Sequence, residues 1–140
     1  MSTRSLIGIQ NANGSIDFIY CHHDGYLSYV GKKLVNHYRD EETVRKLLNL
    51  GDMSSLGDTP VSDVDGWKVL ADTTDALCTT YKSRGETGVD FKTAADREEY
   101  FQRMDDYGVD YIYVYVPSEQ RWLYRDGRVN KPWRSVAQDL

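Results

Sequence analysis

SLIGIQNANGSIDFIYC, residues 5–21, decides how this chain begins to fold. Two apolar, partly β-branched runs, Ser5–Gln10 and residues 15–21, flank Asn11-Ala12-Asn13-Gly14. Asn-Gly is a strong hairpin signal because both residues tolerate positive φ, so an opening β-hairpin is expected. Alternation in the second run sets Ile16, Phe18 and Tyr20 against Asp17, Ile19 and Cys21, and the first set is expected to face the core.

A second hairpin is written near the other end. In VDYIYVYV, residues 109–116, Val109, Tyr111, Tyr113 and Tyr115 alternate with Asp110, Ile112, Val114 and Val116, giving a tyrosine-rich face and an aliphatic one. Pro117-Ser118-Glu119-Gln120 reads as the turn and residues 121–125 as the returning strand, with Asp126-Gly127 ending it.

Helical periods lie between the hairpins. Leu27, Val30, Leu34, Val35 and Tyr38 follow the spacing of one helix face, with Lys32, Lys33 and Asn36 on its wet side. Asp40 as N-cap, Glu41 and Glu42 in the first turn, Val44, Leu47 and Leu48 as the apolar face and Gly51 as the stop predict a second helix. Residues 94–105 predict a third, with Tyr100, Phe101 and Met104 on one side. Residues 52–66 show no period and read as a loop, while 67–71 and 77–82 read as short strands. The order is ββααββαββ with a short turn or helix near residues 133–138. It implies an α+β fold: an antiparallel or mixed sheet built from the two hairpins and packed by two to three helices, in a single domain over residues 1–140.

Composition narrows the classes. Hydrophobic residues make up 40% and charged residues 28% of 140, a globular rather than a disordered profile. Cys21 and Cys78 form no CxxC pair, so reduced thiols are expected rather than a disulfide framework or zinc ribbon. No apolar run reaches the length of a signal peptide or a membrane span, so neither export nor a membrane partner is expected. The net charge of −5 does not favour bulk nucleic-acid binding. Charge is unevenly spread, though: residues 51–77 hold six Asp and one Lys, whereas residues 121–134 hold four Arg and one Lys against Asp126 alone.

Three groups of residues carry potential chemistry. Cys21-His22-His23-Asp24-Gly25-Tyr26, between the second strand and the first helix, is the densest. His22 or His23 with Asp24 and His37 are metal-ligand types, and Cys21 is a candidate nucleophile with His37 as base. The plainer reading makes Asp24 the cap of the helix beginning near Tyr26, and Cys21 a small buried residue. Arg84 and Glu86 flank Gly85 in a loop suited to an anion, and Arg4 has the same capacity. Trp122, Tyr124 and Trp133 interleave with Arg121, Arg125, Arg128, Lys131 and Arg134, the ingredients for stacking a nucleotide; equally, the rings complete the core and the arginines pair with acids.

The strings STRSLIG, IYCHHDGYLSYVGKKLVNHY and LLNLGDMSSLG, with YKSRGE further on, resemble a family of small uncharacterised proteins of bacteriophages and prophages. Its pattern is STRxxIG, YCHxDGY, then Gly, Leu and His-Tyr in a helix, then LGDxSSLG. His23 stands where relatives carry an aromatic residue, and Leu27 where a proline is usual. The resemblance implies a phage or prophage origin and a place in the host bacterial cytoplasm. It also draws Arg4, His22, Asp24, Tyr26, His37, Arg84 and Glu86 together as one polar ligand-binding cluster. The expected function is that of an accessory protein binding a host component, such as a defence or nucleic-acid-processing factor, without a cofactor. An anionic small molecule, such as a nucleotide, is the alternative ligand, and a metal-dependent hydrolase or nuclease the second alternative.

Overall fold

Asn13 and Gly14 form the expected turn. Gly14 has φ of +89°, the Asn11 amide donates to the Ser15 carbonyl at 2.7 Å, and the Asn13 side-chain oxygen accepts from the Ser15 amide at 3.0 Å. The turn joins β1 (Ser5–Gln10) to β2 (Ile16–Cys21) in antiparallel register, with Ile7 opposite Ile19. This computed structural model describes residues 3–62 and 77–140.

Eight strands among the described residues make one mixed sheet, as an α+β chain requires. The free edge of β1 is taken in parallel by β6 (Tyr111–Val116), which pairs antiparallel with β7 (Arg121–Asp126), and β7 carries the two-residue β8 (Arg134–Ser135). The other edge of β2 is shared. β5 (Lys92–Ala94) pairs antiparallel with Ile16, Asp17 and Phe18, while β3 (Met53–Ser55) pairs in parallel at Cys21 and carries β4 (Thr79–Thr80). Between these two partners the Tyr20 amide donates to Asp52 Oδ1 at 2.9 Å, so a side chain completes the ladder where no strand reaches.

The helices cover both faces. Along Leu27–Gly31 the chain makes a π-helical turn before α1 (Lys32–His37), in place of the single helix expected from Leu27. Asp40 caps α2 (Glu41–Asn49) by accepting from the Thr43 amide at 2.8 Å, and Gly51, with φ of +82°, lies just beyond it. Burying Val44, Leu47 and Leu48 contributes about 1.5–3 kcal/mol each, without which nine residues would not stay helical. Asp96 caps α3 (Arg97–Tyr107) in the same way, so Ala94 falls in β5 rather than in the helix. The chain closes with α4 (Val136–Asp139).

The tyrosine face of β6, with Ile7, Ile9, Ile19, Cys21 and Trp122, packs under α1, α2 and Val136. The aliphatic face, with Leu6, Ile16, Phe18 and Leu123, packs under Tyr100 and Met104 of α3. β2 is therefore buried on both faces, and Ile19 and Cys21 are as deep as Ile16 and Phe18. The expectation that only the Ile16 face meets the core fails because the sheet has a layer on each side. The expected loop at 52–66 contains β3, and of the strand expected at 77–82 Thr79 and Thr80 form β4 while Cys78 makes a single parallel bridge to Ser62, Lys82–Arg84 forming a 3₁₀ turn. The strand expected at 67–71 lies outside the described residues.

Candidate functional site

The YCHHDGY segment leaves β2 through a sharp bend. Asp24 takes φ of +57°, a region that asparagine and aspartate tolerate better than most residues. Gly25 presses on the start of β1, where an added Cβ would stand 2.8 Å from the Cβ of Ser5. Its amide donates to the Thr3 carbonyl at 2.8 Å and its own carbonyl accepts from the Tyr113 hydroxyl at 2.7 Å, so the bend is fixed from both sides. Asp24 makes no side-chain cap. Its backbone carbonyl accepts from the Val30 amide at 3.3 Å, which corrects the reading of this aspartate as the helix cap.

Beyond the bend Tyr26 is extended (φ −71°, ψ 161°) and 38% exposed, with its ring near that of Tyr29. The π turn that follows is a form common at functional sites. Together they border a groove of about 520 Å³ lined by Tyr26, Leu27, Ser28, Lys32, Asn36, Tyr111, Asp139 and Leu140. That volume lies in the range of ligand sites. The buried Tyr111 hydroxyl accepts from Arg128 Nη2, and Arg128 also pairs with Asp126. At the other end Asp139 accepts from the Tyr124 hydroxyl at 2.7 Å and from Arg134 Nε at 2.6 Å, contacts that hold its carboxyl down to about 2. Asp139 is thus neutralised, whereas Lys32 is exposed and makes no ion pair among the described residues. The groove accordingly combines an aromatic rim, apolar walls and, among the described residues, a single available cation.

The seven residues expected as one cluster do not gather there. His37 is exposed on α1, its Nε2 3.6 Å from Asp58 Oδ1, an oxygen that also takes Lys33 Nζ at 2.6 Å. His22 lies elsewhere, its Nδ1 2.7 Å from the Tyr20 hydroxyl and its ring 4.6 Å from that of His23. Arg4 is exposed near His22, Arg84 belongs to the 3₁₀ turn, and Glu86 is exposed with its amide bound to the Tyr81 carbonyl. Among the described residues no three His, Cys, Asp or Glu side chains meet as a metal-ligating group. Cys21 is fully buried, which pushes its thiol up to about 12, so it holds its proton and faces no solvent.

Most of the aromatic and basic residues singled out near the C-terminus have partners within the chain. Trp122 is buried and donates Nε1–H to the Tyr38 carbonyl at 2.8 Å, and Trp133 lies half-buried and parallel to the Tyr100 ring, 6.3 Å away. The Arg125 guanidinium sits over Phe101 at 3.7 Å, Arg121 pairs with Glu119 at 2.6 Å, and Tyr124 is committed to Asp139. Among the described residues, then, Trp122 is buried in the core, Arg121, Arg128 and Arg134 pair with Glu119, Asp126 and Asp139, and Arg125 stacks on a ring. Within the groove, Tyr26 was singled out by the sequence; Lys32, Asn36, Tyr111 and Leu140 were not. The one available signal was Tyr111 at the start of the alternating tyrosines.

Comparison of the chain with protein-family models, curated proteins and solved structures finds no match. Among the described residues no helix is long and apolar enough to cross a membrane.

Proposed function

We propose that this chain is a non-catalytic accessory protein of phage or prophage origin that binds a host protein in the bacterial cytoplasm through the groove beside Tyr26. The observation that carries the reading is the groove itself: an exposed tyrosine at its rim, a π turn for one wall, and Lys32 available to a counter-charge. Exposed tyrosines supply large, stiff contact area with a polar tip, the residue type that dominates binding energy at interfaces. Lys32 selects for acidic groups, so the fitting partner segment places an apolar or aromatic side chain in the groove with a carboxylate beside it.

Capture from host lysate at physiological salt, read by native mass spectrometry, tests this with Tyr26→Ala and Lys32→Glu variants alongside the parent chain. The expected result is one host protein bound to the parent and lost from both variants. Retention by both variants, or no specific partner on the parent, overturns the reading, and a copurified nucleotide in place of a protein replaces it with the small-molecule alternative.

A further inference from the structure

A second polar group lies on the other side of the sheet, under the end of α3. One step outward from the Ser5–Cys21 pair, the two strands carry Arg4 and His22. Both backbones are fixed. The Arg4 carbonyl accepts from the Asp110 amide at 2.9 Å and the Tyr111 amide at 3.3 Å, and the His22 amide donates to the Met53 carbonyl at 3.0 Å.

The His22 ring is also oriented. Its Nδ1 faces the Tyr20 hydroxyl at 2.7 Å, and the Tyr20 ring stacks on Tyr107 at 6.2 Å and 25°. This arrangement leaves Nε2 for an external partner. Arg4 is exposed, makes no ion pair among the described residues, and reaches towards Gly108, where an added Cβ would be 3.8 Å from Nη1. A forked donor and an imidazole on rigid backbones, with no carboxylate among the described residues paired to either, form a ready receptor for an oxyanion.

We propose that Arg4 and His22 bind an oxyanion, a phosphate or carboxylate group, that accepts from the Arg4 guanidinium and from His22 Nε2. This site is separate from the Tyr26 groove and does not depend on its occupant. Binding takes a proton-linked form. Burial, the His23 ring and the Arg4 charge hold the free His22 imidazole below its usual range. The groups around it are Arg4, His23, the Tyr20 phenol, which keeps its proton, and, beyond Tyr20, Asp52, Tyr81 and Tyr107. An anion beside Arg4 offsets that charge and favours imidazolium, so affinity rises as pH falls through the titration of His22.

NMR titration of the whole chain with inorganic phosphate, and separately with acetate, at about pH 5.5 and about pH 7.5 brackets the usual imidazole range. Acetate is ionised at both values and isolates the protein's own titration. Saturable shifts at the His22 ring and Arg4 side chain are expected with both anions, and for acetate they are tighter at the lower pH. Arg4→Gln should weaken binding about tenfold or more, while His22→Ala should keep weak binding and lose its pH dependence. Saturation by both anions assigns a general oxyanion site, and saturation by phosphate alone assigns a phosphoryl ligand. Shifts that stay linear into the high millimolar range for both anions, or equal affinity in folded Arg4→Gln, overturn the proposal.

Discussion

On one side of β6, Tyr113 and Tyr115 send their hydroxyls to the carbonyls of Gly25 and Arg39, while neighbouring Trp122 donates its indole N–H to the Tyr38 carbonyl and Tyr38 its hydroxyl to the Gly57 carbonyl. On the other side, Ile112, Val114 and Val116 meet α3 through apolar surface, and one hydroxyl, that of Tyr100, reaches the Tyr113 carbonyl at 2.6 Å. Both layers bury their residues almost completely. Apolar contact is non-directional, so the aliphatic layer supplies driving force and accepts any well-filled arrangement. A buried hydroxyl needs its partner at a fixed place, so the tyrosine layer determines where the bend at Asp24, the π turn and the segment around Arg39 must lie. The groove stands on the layer that fixes position.

The sharpest way to break this contrast is Ile112→Ala, expected to cost about 2–5 kcal/mol in urea unfolding while leaving NMR shifts of Leu27–Gly31 near their parent values. Tyr113→Phe is expected to reverse the pattern. It removes one oxygen and leaves the Gly25 carbonyl unpaired, costing about 1–3 kcal/mol, with its largest shift changes at Gly25 and along the π turn. Equal spread of shift changes in both variants would end the distinction.

The edge of β2 extends the comparison to a carboxylate. Asp52→Ala should cost about 1 kcal/mol by stranding the Tyr20 amide, whereas Asp52→Asn keeps an acceptor and should cost less. Burial raises the Asp52 pKa, against the pull of the Tyr20 amide and Lys92. The folded chain therefore holds this proton more tightly than the unfolded one, and stability attributable to Asp52 is greatest below its unfolded pKa and falls as pH rises through the folded value. Urea midpoints across the acid range should show that slope in the parent and lose it in Asp52→Asn.

Tyr115→Phe is the mildest mutation, about 0.5–1 kcal/mol, because its bond to the Arg39 carbonyl is only partly buried. The smallest effect concerns Asp139. Its carboxyl is held down to about 2, so the tie from α4 to Tyr124 and Arg134 is complete above the unfolded aspartate range and is lost as pH falls through about 2. A carbon-detected carboxyl titration should place that midpoint well below the usual carboxylate range.

Sequence reading reached the elements whose signals are local. Asn13-Gly14 gave the first hairpin, the alternating tyrosines gave β6, and Asp40 with Gly51 bracketed α2. It missed β3 and β5 because three-residue strands have too little period to register, and because their partner is β2, far along the chain. The parallel placement of β6 beside β1 was equally hidden, and with it the burial of both faces of β2. For the candidate site, the motif around Tyr26 borders the groove, but the groove also needs Tyr111 and the C-terminal residues, which only tertiary packing brings to it.

The seat of β6 in the middle of the sheet has a consequence for biogenesis. β1 and β2 are made long before residues 111–116, the partner that closes the inner edge of β1, so a nascent chain carries a hairpin with an open apolar flank until β6 has been made. Folding is then a late, collective event. Chains halted before Tyr111 should remain protease-sensitive, while those extended through β7 should acquire resistance in a single step.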